Sequence, residues 1–460
     1  MDIPFLESFV FEKLSATGLP GLSLALVKNG EVVYARGFGQ RDVSYGLAAT
    51  PETLYSVGSV TKSFTALAIM QLAEAGKLEL DDPITKYLPY TVKPKGEAIC
   101  IKHLLSHSTG IPALAYAEAI LRHASGVGGK ALPIAGPDDI MTFAADAESW
   151  VETAPGERWF YFNEGYAMLG QIIEQASGEA YNDYIRAHIL DPLGMKRSFY
   201  SKTEVEADGD LAVPYTVIPN KDPKPGRYLY RSIRSEGGLI SNVLDLSQYI
   251  MMYLEGGKGL LSAAGIKEMW EARVAMPWQS NPSLFGDTGN SEPDTHYGYG
   301  LSTEQFFGET FVGHGGSVGV ATAHMAFLPQ SNAGVALLTN GSGYPTGYFA
   351  KVALATLLEK DIKALPFLRT ETHLIPLTGT YESYKGTMTA TVSKNADFLT
   401  FEIHDQAAPQ KVILVPELLE KDEQNFFTLA GGRRLPVSFY RRNGTVELIF
   451  ERYKFKRVGP

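Results

Sequence analysis

Apolar residues near the start of the chain predict one helix followed by a two-stranded hairpin. Residues 5–17 carry apolar side chains at the spacing of an amphipathic helix, and the Gly and Pro residues of 18–21 end it. Two apolar runs, 22–27 and 31–37, then flank Asn29-Gly30, a pair that tolerates the positive φ angles of a tight two-residue turn. The pattern therefore indicates a β-hairpin.

Helical spacing of apolar residues returns further along the chain. The predicted helices cover residues 59–76, 166–176, 245–253 and 347–359. The first has no Pro or Gly before its last residue and is apolar on most faces, so we expect it to be buried, with Ser59 at or near its N terminus. Segments 311–326 and 333–339 are predicted to be buried strands.

After about residue 370 the pattern changes to short alternating runs that are typical of strands. These runs are 388–392, 398–403, 411–415, 426–429, 437–442 and 445–453. Asn443-Gly444 is predicted to join the last two as a hairpin. Because 460 residues exceed the usual size of one core, we predict a larger domain at 1–365, a linker at 366–376 and an all-β domain at 377–460, either a barrel or a sandwich.

Composition narrows the function classes. A formal net charge of -10 argues against nucleic acid as a principal partner, because neutralising phosphates requires a basic face. The chain has neither a run of apolar residues long enough to cross a membrane nor a secretory signal at its start, which predicts a cytoplasmic protein without a membrane partner. The single cysteine, Cys100, lies in an apolar run and is interpreted as a buried, inert thiol.

The first candidate for chemistry is Ser59-Val60-Thr61-Lys62. A spacing of three on a helix places Ser59 and Lys62 on one face, where a desolvated lysine amine can take the hydroxyl proton. The helix N terminus adds partial positive charge where an oxyanion would develop. A solvated helix face with an idle serine and lysine is the alternative, but Lys62 lies among apolar positions.

The second candidate is Tyr161-Phe162-Asn163, which precedes a predicted helix. On an extended segment, Tyr161 and Asn163 point the same way, so a phenol and an amide can face one cavity. A phenol beside a lysine ammonium is expected to have a lowered pKa and to act as a general base, while the amide fixes the substrate or the lysine. A core tyrosine beside a turn-forming asparagine is the alternative.

The third candidate is His314-Gly315-Gly316-Ser317, inside a predicted strand. Gly315 and Gly316 weaken a strand unless another backbone comes close, and an acyl substrate along that edge would supply the reason. His314 could hydrogen-bond the phenol or the substrate, and the amides of Ser59 and Ser317 could form the oxyanion hole. A structural histidine is the alternative.

Other chemistries lack a motif. The sequence shows no zinc-ligand or nucleotide-binding pattern, so we predict neither a metal nor another cofactor. His103 and His107 are four residues apart without an acidic ligand at a suitable spacing, which favours a structural role in a helix.

The three motifs, in this order along the chain, resemble the CubicO group of beta-lactamase-related serine hydrolases, which is related to class C beta-lactamases, D,D-peptidases and D-aminopeptidases. Six further segments support the resemblance: 104–112, 154–158, 191–195, 237–241, 297–300 and 338–340. It implies a beta-lactamase-like α+β fold, an antiparallel sheet with flanking helices and a helical subdomain. It also assigns Ser59 as the nucleophile, with Lys62, Tyr161 and Asn163 as its partners. His314 stands where beta-lactamases have the lysine of Lys-Thr-Gly, which weakens the case for recognising a penicillin carboxylate.

The C-terminal domain resembles the lipocalin-like barrel of archaeal CubicO peptidases that form self-compartmentalising octamers and act on peptides with D-amino acids. The implied function is a serine peptidase that acts on short peptides and assembles as a homo-oligomer, an octamer in those relatives.

Other functions remain open on the sequence. A carboxylesterase or a beta-lactamase-like amidase would use the same catalytic residues, and an inactive ligand-binding protein is a third possibility. Residues 113–140, which are rich in Ala, Gly and Pro and are interpreted as an insertion or mobile flap, are predicted to shape the deciding pocket together with 205–230.

Overall fold

The computed structural model describes most of the 460-residue chain. The described residues are 1–124, 139–218, 220–230, 233–277, 284, 295–404, 410–420, 423–442 and 444–459. Residues 125–138 of the predicted flap and Asn443 of the predicted hairpin lie outside them.

Contacts between Cα atoms divide the chain into two compact units. The first contains Met1–Trp278 and Pro293–Lys360, and the second runs on from Asp361 and also contains Leu284. The predicted linker at 366–376 is largely a helix, Pro366–Leu374, and Leu374 is buried in the apolar core of the second unit.

The first unit contains eleven of the described helices. They are α1 (Ile3–Thr17), α2 (Thr61–Glu74), α3 (Ile101–Leu105), α4 (Tyr116–Ala124), α5 (Asp139–Ala144), α6 (Asn163–Ser177), α7 (Tyr181–Ile185), α8 (Lys202–Asp208), α9 (Val243–Leu254), α10 (Ala263–Met269) and α11 (Thr346–Leu357). The helix of the second unit is α12 (Pro366–Leu374). The Asn242 side chain caps α9 by accepting the N–H groups of Leu244 and Asp245.

The strands of the first unit form one large sheet and two small ones. They are β1 (Gly21–Lys28), β2 (Glu31–Asp42), β3 (Leu47–Ala48), β4 (Tyr55–Ser56), β5 (Tyr215–Thr216), β6 (Lys224–Pro225), β7 (Ile240–Ser241), β8 (Val274–Ala275), β9 (Thr295–Tyr297), β10 (Ser302–Phe306), β11 (Glu309–Ser317), β12 (Thr322–Leu328) and β13 (Ala333–Thr339). The large sheet has the order β3-β2-β1-β13-β12-β11-β10-β9-β8 and its neighbouring strands are antiparallel. The predicted architecture of an antiparallel sheet with flanking helices is confirmed.

Helices cover both faces of this sheet. On one face, Phe327 of β12 stacks on Tyr253 of α9, with ring centroids 4.9 Å apart. On the other face, the Thr346 hydroxyl at the start of α11 donates to the Ala323 carbonyl of β12. The runs of buried residues in β1 and β13 follow from this arrangement, because strands covered on both faces need no polar side.

Turns explain where the sequence prediction of strands was right and where it was wrong. The β1–β2 hairpin turns at Asn29 and Gly30, which have φ angles of 53° and 80°. The predicted continuous strand at 311–326 is wrong: β11 and β12 are two antiparallel strands that pair Ser317 with Thr322. The apolar residues Val320 and Ala321 mask this turn in the sequence because they are buried.

The second unit is a closed eight-stranded antiparallel barrel, which confirms the predicted lipocalin-like β-domain. Its strands are β14 (Gly379–Glu382), β15 (Thr389–Asn395), β16 (Phe398–His404), β17 (Gln410–Leu419), β18 (Glu423–Ala430), β19 (Arg433–Arg442), β20 (Thr445–Phe450) and β21 (Tyr453–Gly459). Pairing of β14 with β21 closes it. The sequence prediction missed β14, which has only four residues. It also merged the start of β21 with β20, because only two residues separate these strands.

Aromatic side chains fill the barrel core. Phe401, Phe439 and Phe455 are fully buried there, and Phe401 packs edge-on against Phe455 with centroids 5.4 Å apart. Eight strands enclose a space that side chains can fill, so this barrel has a packed core like that of a small globular domain.

Two further sequence interpretations bear on the whole chain. No helix among the described residues is long and apolar enough to cross a membrane. The cytoplasmic location stays a prediction. Cys100 is a free thiol that is only half-buried, and burial raises its pKa.

Candidate active site

Ser59 lies at the N-terminal end of the buried helix α2. A short 3-10 turn, Gly58–Val60, leads directly into the helix, and Gly58 has a φ angle of 51°. The Lys62 side chain is one turn further on, with its Nζ 3.1 Å from the Ser59 Oγ. The sequence motif therefore places hydroxyl and amine in contact, as its spacing predicted.

Lys62 is fully buried, and its amine has two further neighbours. Its Nζ donates to the Asn163 Oδ1 at 2.8 Å and to the Glu236 carbonyl oxygen at 2.6 Å. Both partners are acceptors only at those atoms, so each must receive a hydrogen from Lys62.

Burial sets the charge of this amine. It lowers the pKa of Lys62 to about 7, while the negative charges of Glu236, Glu118 and Glu164 oppose that shift. A large fraction of the amine is therefore unprotonated at neutral pH.

Asn163 and Tyr161 reach the site from the entry into α6. Asn163 is the first residue of this helix and Phe162, in an extended conformation, precedes it. Of the two roles left open for the Asn163 amide, the structure shows contact with the lysine. The Lys62 Nζ lies over the face of the Tyr161 ring, 4.8 Å from its centroid.

The expected lowering of the Tyr161 pKa is wrong. Burial raises the pKa of this phenol above its usual range, with a smaller opposite effect from the Ser59 hydroxyl. The neighbouring lysine does not produce the lowering that the sequence suggested, because desolvation of the phenolate is the dominant effect on this group. Tyr161 is thus a protonated phenol at neutral pH.

His107, assigned a helical role from the sequence, lies beyond the end of α3 in a left-handed conformation, φ 57°. Its Nδ1 accepts the Phe162 N–H at 2.9 Å, and its ring packs against Tyr161 with centroids 4.3 Å apart. Burial and the nearby Lys62 lower its pKa well below the usual value, so the ring is neutral. His107 fixes the segment that carries Tyr161. Its only signal in the sequence was its place in segment 104–112.

His314 lies on the wall of the same site, but both of its ring nitrogens are engaged. The Nδ1–H donates to the Gly315 carbonyl at 2.6 Å, so the Nε2 of the neutral ring accepts the Tyr297 hydroxyl at 2.8 Å. Burial lowers the His314 pKa to about 4. Of the two partners that the sequence left open for His314, the Tyr161 phenol is not among these contacts. The role of Tyr297 was missed, and its only signal in the sequence was its place in segment 297–300.

Gly316 and Ser317 pass directly beside the turn that carries Ser59. A Cβ on Gly316 would lie 1.9 Å from the Val57 carbonyl oxygen, and one on Gly58 would lie 2.7 Å from the Ser317 amide nitrogen. Backbone does approach Gly316 closely, as expected, but this backbone belongs to the turn of the same chain that carries Ser59 and not to a substrate. Gly315 has no such neighbour within 3.4 Å.

These residues open onto one cavity of about 950 Å³. Its lining includes Ser59, Tyr161, Asn163, His314 and Gly315 through Ser317, so the structure brings the predicted site residues together, with Lys62 directly behind Ser59. Glu118 and Glu236 also line it. Among the described residues, no three His, Cys, Asp or Glu side chains are placed to hold a metal ion.

Two family models match the chain, one for each unit. The beta-lactamase model matches residues 6–358, and the model of the Pab87 octamerisation domain matches residues 362–456.

Known proteins match either nearly the whole chain or about three quarters of it. The structure of the octameric penicillin-binding protein homologue from Pyrococcus abyssi is 43% identical, with a TM-score of 0.93, over 99% of this chain and 100% of that one. Protein flp of Staphylococcus aureus (strain MW2) is 27% identical over 73% of this chain but only 62% of its own length. The D-amino acid amidase from Ochrobactrum anthropi SV3 shares the fold, with a TM-score of 0.61 and 22% identity over 78% of this chain and 96% of that one.

The close approach of Gly316 to the nucleophile turn predicts a specific cost for a methyl group there. Gly316→Ala should lower the free energy of unfolding by about 1–3 kcal/mol, because the Cβ must displace backbone. The matched control is Gly315→Ala, whose Cβ would lie in ordinary van der Waals contact, 3.5 Å from the His324 Nδ1, and should change stability by less than about 0.5 kcal/mol. Denaturant unfolding measures both, and equal effects would contradict the packing described.

Proposed function

The chain belongs to the beta-lactamase family of serine hydrolases, and we propose that it is a peptidase that cleaves short peptides, including peptides with D-amino acids, through an acyl-enzyme on Ser59. The observation that carries this proposal is the position of the Lys62 amine between Ser59 and two carbonyl oxygens.

Hydrogen-bond capacity assigns the general base. A neutral amine has two N–H groups and one lone pair, and the carbonyl oxygens of Asn163 and Glu236 require both N–H groups. The lone pair then faces the Ser59 hydroxyl at 3.1 Å, ready to take its proton. Tyr161 is unsuited to that role because its raised pKa keeps the phenol protonated.

The reaction follows from these assignments. Lys62 takes the Ser59 proton while the Ser59 oxygen attacks the peptide carbonyl, and the amides of Ser59 and Ser317 hold the oxyanion. As the C–N bond breaks, the Tyr161 phenol gives its proton to the leaving nitrogen and recovers one from Lys62. Water then attacks the ester and passes a proton to Lys62, which returns it to the Ser59 oxygen as the ester C–O bond breaks and the acid is released. His314 holds the wall of the site through Tyr297 and Gly315.

Carboxylates around the nucleophile favour a cationic substrate group. Both carboxylate oxygens of Glu236 are engaged, one by the Tyr116 hydroxyl and the other by the Arg234 N–H. Glu118 is exposed at the cavity and has no hydrogen bond or ion pair with another described residue. We propose that Glu118 binds the free amino terminus of the peptide. The same charges oppose an anionic penicillin, whereas an ester needs no ammonium group, so an esterase remains the second candidate.

We also propose that the barrel assembles the protein into a homo-octamer. The match to an octamerisation domain over 362–456 and the likeness to an octameric homologue support this proposal. Several large apolar side chains point outward from the barrel and are available for contacts: Ile413, Leu429, Ile449 and Val458.

The assignment of Lys62 as the base predicts how acylation depends on pH. Acylation of Ser59 by a neutral chromogenic ester should rise with pH through a midpoint near the Lys62 pKa of about 7, because only the unprotonated amine accepts a proton. Ser59→Ala should show no acyl-enzyme by intact mass.

Glu164 requires a control, because burial raises its pKa to about 7 as well. Glu164→Gln should keep the rise and move it to lower pH, since this carboxylate raises the Lys62 pKa. Loss of the rise in Glu164→Gln would assign the titration to Glu164 and contradict the role of Lys62.

The proposed substrate class predicts a preference for a free amino terminus. Peptides with D or L residues should be cleaved faster when the terminus is free than when it is acetylated, and Glu118→Gln should reduce this preference several-fold, an effect typical of an exposed ion pair. Glu52, an exposed carboxylate outside the cavity, supplies the control Glu52→Gln. Cleavage of esters alone would replace the peptidase proposal with the esterase.

The assembly proposal predicts the effect of removing the barrel. A chain that ends at Lys360, with Leu284→Ser to replace the apolar side chain that packs on the barrel core, should give a smaller particle in light scattering. It should still form the Ser59 acyl-enzyme with a small ester, because the described lining of the cavity belongs to the first unit. An unchanged particle mass would exclude the barrel from the assembly contacts.

A further inference from the structure

The cavity that contains Ser59 has a second lobe on the opposite face of the large sheet. Side chains of successive strand residues alternate between faces, so His314 and Gly316 face Ser59 while Gly315 faces α11. The lobe on this second side, called the α11 lobe, is lined by Ser302, Glu304, His324, Thr346, Tyr348 and Lys351.

The absence of a side chain at Gly315 leaves the floor of the α11 lobe open. A Cβ there would meet only the His324 Nδ1 at 3.5 Å and the Ala323 carbonyl at 3.9 Å. Close packing of β11 against the turn that carries Ser59 explains why residue 316 is a glycine. It does not explain the glycine at 315, which pairs with His324 of β12 and has no such close neighbour.

Lys351 is the cation of the α11 lobe. Its Nζ donates to the Glu304 Oε2 at 2.8 Å and lies 5.6 Å from the centroid of the Phe311 ring. An ammonium carries three N–H donors, so the bond to Glu304 leaves donors for a ligand in the lobe. Both side chains of this ion pair are about one quarter exposed, which makes them accessible from the cavity.

His324 adds an unused hydrogen-bonding group. Its Nε2 is buried without a hydrogen-bond partner among the described residues, in a ring that lines the cavity. Burial and the adjacent Lys351 lower the pKa of His324 to about 3, so the ring is neutral and offers one N–H donor. A buried polar atom without a partner is unfavourable unless something occupies the site.

The start of α11 contributes to the same lobe. Thr346 and Tyr348 of its first turn line the cavity, and the Pro345 that precedes the helix provides no side-chain cap. The Tyr348 N–H already donates to the Pro345 carbonyl, so only the N–H groups before it can serve a ligand, and the helix dipole gives this end a partial positive charge. The helix end, the His324 ring and Lys351 together form a site rich in hydrogen-bond donors.

We propose that the α11 lobe binds a carboxylate group of the peptide substrate through Lys351 and His324. This inference rests on the proposed peptidase function and extends it, because it assigns the anionic end of the substrate to a part of the cavity away from Glu118. Glu304 competes with the substrate for Lys351, so it limits the affinity of the lobe. The carboxylate comes from the C terminus of the peptide or from an acidic side chain.

Competitive inhibition tests this assignment without requiring that the peptides be cleaved. Short alanyl peptides of both enantiomers, as free acids and as C-terminal amides, compete with p-nitrophenyl acetate for the site. Matched peptides with an internal Glu or Gln, all amidated, test an acidic side chain as the source. We expect one free-acid or Glu series to bind about tenfold more tightly than its neutral counterpart.

Two substitutions should move this ratio in opposite directions. Lys351→Met should bring the ratio of inhibition constants close to one, whereas Glu304→Gln should increase it, because Glu304 no longer competes for the ammonium. A structural role for the ion pair would instead make both variants change in the same direction. Lys360→Met is the matched control, since Lys360 follows the same helix and lies outside the cavity lining.

Equal inhibition by the acid and neutral series in the wild-type protein, or an unchanged ratio in Lys351→Met, would overturn the assignment. Cleavage of the same peptides is measured separately. If the peptides inhibit but are never cleaved, the peptidase proposal fails while the test of the lobe still stands. The ratio therefore reports on the α11 lobe whether or not the inhibitors are substrates.

Discussion

The burial of one amine is the constraint on which the site depends. Lys62 is enclosed by α2, α6 and the segment that contains Glu236, and its nearest polar neighbours are two carbonyl oxygens and one hydroxyl. A charged amine is costly in such surroundings, so the structure favours the neutral form that can accept a proton. The three nearby carboxylates limit this effect and hold the Lys62 pKa near neutrality.

The same burial determines what the aromatic residues around the amine can do. Tyr161, His107 and His314 all lie in surroundings that disfavour charge, so the phenol stays protonated and both imidazoles stay neutral. The histidines are engaged by the Phe162 N–H and by the Tyr297 hydroxyl, which fixes their orientation. In the proposed reaction, proton transfer is thereby limited to Ser59, Lys62 and Tyr161.

Two successive glycines in β11 shape the cavity on both faces of the sheet. Gly316 admits the turn that carries Ser59 on one face of the sheet, and Gly315 leaves space on the other face. Among the described lining residues, the exposed Glu118 carboxylate shares the cavity with Ser59, and the Lys351 ammonium lies across β11 from Ser59. This polarity supports the proposed peptide substrate, which has charged ends, over a substrate with a single negative charge.

The sequence by itself determined the elements and motifs in which local pattern decides the outcome. The first hairpin, the helix after Ser59 and the contact of Ser59 with Lys62 follow from turn chemistry and helical spacing. Only the tertiary structure decided the role of His107, the state of Tyr161 and the turn between β11 and β12. In each case the physical reason is the same: burial and neighbours distant in sequence set the pKa values and hydrogen-bond partners, and buried residues at a turn have the same apolar pattern as a strand.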